Sequence, residues 1–307
     1  MTLNKTFKSV SQFSFLIALL VFLESCGSGK KSEKESASSE FDAASHQINE
    51  EIDEVIQELP PPSEIPFLLE EIGADYDESL VNAIENAESY NTTTDKAAVN
   101  LGIYTADIGY LASYDKAQRA LSYLSECKKL AEAVGITDEV GKDFVERFEK
   151  NVGSRDSLED VVDDFISRSD KQLQFTDRET VAALVLSGSF IEGLYLATAI
   201  IENYPEDVLP DDARNLILVP IVKLVLDQEQ PLADLIQLLK DLPESDNDMV
   251  KSLVSSLQSL KGKYEDLNIQ EKIQGNRGDL LLTDETLDEI TNQTGEIRDF
   301  ITSANAQ

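Results

Sequence analysis

From Ile48 onwards, apolar residues recur three and four positions apart along most of the chain, and the period-two alternation of a half-buried strand is nearly absent. Ile48, Ile52, Val55, Ile56 and Leu59 form a stripe that stops at Pro60-Pro-Pro62, which predicts a short leading helix. Ile65–Ile72 and Tyr76–Tyr90 are expected as short helical pieces separated by Gly73. Asp95–Ala112 and Lys116–Val134 are expected as longer helices, the second closed by Gly135. Thr137 is placed to cap a helix carrying Val140, Phe144, Val145 and Phe148, and Ser157 one carrying Leu158, Val161, Val162, Phe165 and Ile166. Thr176-Asp-Arg-Glu179 fits a capping box and opens a helix that runs to about Asn203. Beyond it come Leu216–Leu226 with a kink at Pro220, Leu232–Leu242, Met249–Leu267 and Thr283–Ser303. The last two carry the stripes Val250, Leu253, Leu257, Leu260, Tyr264 and Leu287, Ile290, Ile297, Phe300. Asp279-Leu-Leu-Leu282 is the single short rival for a strand.

The fold class that follows is all-α: a multi-helix antiparallel bundle, its brief loops reversing the chain between neighbours. Pro205 and Pro210 make 203–211 a candidate boundary between two packed helical halves. A TPR-like array of helical pairs is the architectural alternative, although no repeat of fixed period stands out. Val181–Ile201 holds a single charge, Glu192, so a membrane span and a central buried helix both fit its length. Ser187, Gly188, Ser189, Gly193 and the central Glu192 lower its hydrophobicity and favour the buried helix, with Gly188 and Gly193 allowing close packing.

The N-terminus carries a different pattern. Lys5 and Lys8 precede the apolar run 13–22, which is too short to span a bilayer comfortably and has the form of a secretory signal. It ends in Leu23-Glu24-Ser25-Cys26, which resembles the lipobox of bacterial lipoproteins, in the looser Leu-x-Ser-Cys form of the Bacteroidota. Glu24 departs from the small or apolar residue usual at that position. The resemblance implies cleavage behind Ser25, a diacylglyceryl thioether and an N-acyl group on Cys26, and no other cofactor. Each buried methylene contributes about 0.8 kcal/mol, so several acyl chains make a permanent anchor where one chain holds only marginally. Residues 26–45 are small and charged and are expected to be a disordered tether, followed by the helical domain 46–307. Gly27 after the lipidated Cys leans towards the outer membrane by the same resemblance, with the periplasmic or surface face left open.

The chain has 26 Lys+Arg against 59 Asp+Glu among 307 residues, a formal net charge of −33. Loss of Lys5, Lys8 and Glu24 with the signal makes that −34, so the acidity belongs to the exported part. A chain this acidic cannot release counterions from nucleic acid, which needs clustered Lys and Arg. Cys26 is committed to lipid, and Cys127 lies on the stripe Ala120, Leu124, Cys127, Ala131, Val134, a buried position. The single histidine, His46, sits at the edge of the tether, which leaves no His-based triad or multi-His metal site. Ser187-Gly-Ser-Phe190 lacks the nucleophile-elbow spacing, and Asp75-Tyr-Asp77 and Asp246-Asn-Asp248 lack the rest of a calcium loop, so they read as caps and solvated acids.

One constellation is sharper. Along the helix through 100–119, Ala97, Leu101, Ile108 and Leu111 form a core stripe, while Ile103, Asp107, Tyr110 and Tyr114 share an adjacent face. Asp107 among tyrosines and Glu192 within Phe190-Ile-Glu-Gly-Leu-Tyr195 predict partly buried acids, with Arg119 as the nearest cation. A structural network and a ligand pocket both fit. Asn100–Tyr110, Arg155-Asp-Ser-Leu158 and Gly188–Tyr195 resemble segments of a group of all-helical lipoproteins from the Bacteroidota, over roughly residues 75–205; the group brings no known activity. The expectation is a lipid-anchored envelope protein, membrane-bound through its lipid, whose helical domain binds a partner protein or small ligand or serves a structural role. An envelope hydrolase using paired carboxylates, with or without a divalent ion, is the alternative from another class.

Overall fold

The computed structural model describes residues 47–55, 73–136, 138–151, 178–204, 211–267 and 284–303, with single positions between 160 and 171. Cys26, His46, the segment 56–72, the caps expected at Thr137 and Ser157 and the run Asp279–Leu282 lie outside them. The described residues belong to one unit, Ala43–Gln307. They form helices and no strand: α1 (Ala87–Tyr90), α2 (Thr94–Ser113), α3 (Ala117–Ala133), α4 (Asp138–Asn151), α5 (Glu179–Asn203), α6 (Asp211–Leu226), α7 (Glu229–Asp241), α8 (Asp248–Asp266) and α9 (Asp284–Thr302). Residues 47–55 are also helical, with Ile48, Ile52 and Val55 turned into the core.

α2 and α5 are the centre of the bundle and make the most extensive contact in it. Both are apolar on nearly all sides, and a helix without a polar face can only be satisfied by protein all round. α2 is buried from Lys96 to Ser113, and α5 from Glu179 to Ile201 with Tyr195 alone partly exposed. The membrane-length helix is therefore a core helix: 89% of its most apolar stretch is inside the protein. The remaining elements surround the pair, α3 on α2, α9 on α5 and α2, α8 on α9 and α7, and α6 and α7 on α5. The halves on either side of 203–211 thus share one core, because α9 returns from the end of the chain to pack on α5.

Two glycines let the central helices touch backbone to backbone. A Cβ on Gly102 would overlap the Val185 carbonyl oxygen, and one on Gly188 would overlap the Val99 carbonyl oxygen. The Ser189 hydroxyl closes the crossing by donating to the Gly102 carbonyl at 3.2 Å. Gly102 and Gly188, then Asp107 and Glu192, meet in the same order, so the two helices run in the same sense past each other.

Helix ends explain several departures from the expected pattern. α3 stops in a Schellman motif, with Gly135 at positive φ and Ile136 N–H donating to Ala131 O at 2.9 Å. α2 stops in the same motif, but there the left-handed residue is Asp115 and Lys116 N–H reaches Leu111 O at 2.8 Å. α5 begins at Glu179, with Arg178 as an N-cap that makes no side-chain cap; Thr176, which opens the expected capping box, lies outside the described residues. Arg178 instead donates to the Val134 carbonyl at the end of α3. α6 runs through Pro220, which lies on the exposed side, where water can meet the carbonyl left without an N–H donor. Residues 76–90 form two 3-10 turns and the single turn α1 rather than longer helices. Polar side chains there bind locally, Asp77 accepting from Ser79 N–H at 2.8 Å and Asn82 from Asn86 at 3.2 Å.

Candidate functional site

Asp107 on α2 and Glu192 on α5 lie just beyond the glycine crossing, on the sides of the two helices that face each other, and both are 0% exposed. The cation that meets them is Arg298 on α9, itself 8% exposed. Its Nε donates to Glu192 Oε2 at 2.7 Å and its Nη2 to Glu192 Oε1 at 2.9 Å, a bidentate pair. Nη2 also donates to the Leu80 carbonyl at 2.8 Å, and the guanidinium lies over the Tyr195 ring, 4.1 Å from its centroid. Arg119 pairs with neither acid. It pairs with Glu78 at the surface, where the two side chains are 37% and 69% exposed. The expected partnership with Asp107 or Glu192 is corrected: Arg298 is remote in sequence but arrives on the inner face of α9.

The segment around 77–86 covers the acids. Asn82 N–H donates to Asp107 Oδ2 at 3.1 Å. Tyrosine hydroxyls hold this cover by its carbonyls, Tyr123 on Asn82 O and Tyr104 on Ala83 O, each at 2.8 Å. Tyr90 bonds the Asn82 side chain at 3.1 Å, and Tyr110 accepts from Asp77 N–H at 2.9 Å. Tyr90, Lys96 and Asn100 further grip the last carbonyls of α9, at Thr302, Ser303 and Ile301, with distances of 2.9, 2.8 and 3.2 Å. These contacts satisfy orphan acceptors of the helix end and fix the position of Arg298.

Electrostatics make the centre a closed account. Burial first, and then the negative charge of Glu192, push the Asp107 carboxyl well above the ordinary carboxylate range, outweighing Arg298 and the Asn82 N–H, which pull it down. Burial pushes the Tyr110 and Tyr123 hydroxyls up to about 12. The Cys127 thiol is also raised, by burial and by Asp107, so it is a protonated core side chain as its stripe predicted. Asp107 Oδ1 is buried and no donor reaches it. A neutral Asp107 resolves this, since its own O–H then has the Glu192 carboxylate as acceptor.

Of the predicted cluster, the structure brings Asp107 and Glu192 together and sets Tyr110 and Tyr114 in a separate aromatic group with Tyr76. Tyr110 and Tyr114 stack with Tyr76, at centroid distances of 4.9 Å to each other and 5.7 Å to Tyr76, and Lys116 lies 4.6 Å over the Tyr76 ring. Arg298, Asn82, Tyr104 and Tyr195 were not anticipated. One signal for Arg298 exists: it falls four residues after Thr294 and adjoins Ile297 in the stripe Leu287, Ile290, Thr294, Ile297, Ile301, all buried.

Both carboxylates are sealed from solvent, with Glu192 held in the bidentate pair to Arg298. Among the described residues no group of three or more His, Cys, Asp or Glu side chains converges to hold a metal. Asp77 and Asn247, from the two acidic triplets, act as helix caps, Asn247 accepting from Met249 N–H at 2.8 Å. An open cleft of about 560 Å³ lies where α2 and α8 begin, with Asn247 donating to Asp95 at 2.7 Å inside it. Comparison with known protein families, curated proteins and solved structures finds no match.

Proposed function

We propose that this chain is a lipid-anchored protein of the bacterial cell envelope, with Cys26 as the lipidated residue and the helical unit in a non-enzymatic binding or structural role. The observation that carries the reading is the run 13–22 leading into Leu23-Glu24-Ser25-Cys26. The apolar helix Glu179–Asn203 is consistent with it, since a helix buried by its own protein leaves the membrane to the lipid. The closed state of Asp107 and Glu192 speaks against a hydrolase acting through that pair, because a general acid and base must reach the bond they act on.

The test is the chemistry of the N-terminus in cells. Mass spectrometry is expected to find residue 26 as the first residue, carrying a diacylglyceryl thioether and an N-acyl group, and the protein is expected in the membrane fraction. Cys26→Ala is expected to abolish acylation. A version lacking residues 1–45 is expected to stay in solution without detergent. An unmodified Cys26 within an intact N-terminus overturns the reading.

A further inference from the structure

The buried centre has an odd composition for a structural ion pair: two carboxylates and one guanidinium. Arg298 spends both its Nε and its Nη2 on Glu192. Asp107 is left with one backbone donor, from Asn82, and with an oxygen that no donor reaches. The site therefore closes only while Asp107 holds a proton, which it gives as a hydrogen bond to Glu192. Several titratable and charged groups face Asp107, and burial raises the tyrosine hydroxyls and the thiol among them. The groups are Glu192 on α5, Arg298 on α9, Tyr104 on α2, Tyr90 on α1, Tyr123 and Cys127 on α3, and Tyr76 before the first turn.

The cover over this proton is the least regular part of the centre. Residues 77–86 consist of two 3-10 turns and irregular chain with Ala83, Glu85 and Asn86 exposed, tied down by tyrosine hydroxyls, by Arg298 Nη2 on the Leu80 carbonyl and by the bond from Asn82 N–H to Asp107. Such segments open at lower free energy than packed helices. An ionised Asp107 would put a second negative charge into a sealed site with one cation, and a buried unpaired charge is relieved by water.

We propose that residues 77–86 form a proton-gated lid, closed while Asp107 is protonated against Glu192 and opened when that proton passes to solvent. Opening would bare Asp107, Glu192 and Arg298 together with the hydroxyls of Tyr90, Tyr104 and Tyr123. This inference stands independently of the lipid anchor.

The sign follows from linkage. An open lid returns Asp107 to an ordinary carboxylate that ionises near pH ~4, while the closed form retains its proton to higher pH, so the open form gains as pH rises. Hydrogen exchange of residues 77–86, corrected for intrinsic rates, is expected to show protection falling by up to about tenfold per pH unit between about pH 5 and about pH 8. α7 serves as the internal control. Asp107→Asn keeps a donor towards Glu192 and an acceptor for Asn82 N–H but cannot ionise; its lid protection is expected to be flat over the same range. Equal pH dependence in the two proteins, or flat protection in the unaltered one, overturns the proposal. Infrared spectroscopy of the unaltered protein with isotope-labelled aspartate provides a second arm that does not rely on the variant folding. A protonated aspartic acid at neutral pH is expected, and its absence overturns the proposal.

Discussion

Arg298 and Arg119 each pair with a glutamate, yet the two pairs sit at opposite extremes of environment. Arg298 is clamped in the core between Glu192, the Leu80 carbonyl and the Tyr195 ring. Arg119 reaches Glu78 at the surface, with the two side chains partly and largely exposed. The same chemistry therefore has different consequences. At the surface, the Coulomb gain is offset by solvation and side-chain entropy, and such pairs contribute about 0–1 kcal/mol. In the core neither partner has water to fall back on, so loss of one strands the other.

Breaking the buried pair should give the largest effect. Arg298→Ala is expected to destabilise the protein by about 3–5 kcal/mol in urea unfolding, because Glu192 and the Leu80 carbonyl lose their donor together. Next comes the crossing that brings the acids into the core. Gly188→Ala drives a methyl into the Val99 carbonyl, which the backbone can relieve only by moving α2 away from α5. A loss of about 1–3 kcal/mol, or more, is expected from thermal unfolding.

The pH response sharpens the contrast further. The Asp107 carboxyl is raised in the folded state, so the folded protein holds a proton that the unfolded chain gives up near pH ~4. Stability from this group is present at low pH and declines as pH rises through the interval up to its folded value, by up to about 1.4 kcal/mol per pH unit. Urea titrations of the unaltered protein and Asp107→Asn at several pH values isolate this contribution from the general repulsion of a chain with net charge −33. The smallest effect belongs to the exposed pair: Arg119→Ala is expected to cost less than about 1 kcal/mol, and less still in high salt.

How much of this was readable beforehand follows from the range of the signals involved. The helices α3, α8 and α9 announce themselves by periodicity and α2 and α5 by long apolar stretches, and Asp107 and Glu192 stand out because each interrupts such a stretch. Gly135 marks a helix end in plain sight, but Asp115 does the same work with a residue that is ordinary anywhere on a surface. The Asp107 contact with Asn82 and the Glu192 contact with Arg298 bridge 25 and 106 residues, and no local pattern encodes such pairings. Proximity in sequence pointed instead to Arg119, which the turn at Asp115 carries to the outside. The short helical piece expected over 76–90 is broken into three separate turns for a local reason, since Asp77 and Asn82 spend their side chains on nearby groups and so favour turns.

The central claim is that burial makes the Glu192–Arg298 pair a structural fastener, whereas the Glu78–Arg119 pair is incidental. Two double-mutant cycles measured side by side by urea unfolding test it most directly, Glu192→Gln with Arg298→Met and Glu78→Gln with Arg119→Met. A coupling of about 2–3 kcal/mol in the buried cycle and below about 1 kcal/mol in the exposed one is the predicted result. Equal, small couplings in both cycles would contradict it, and would mean that water already reaches the centre of the bundle.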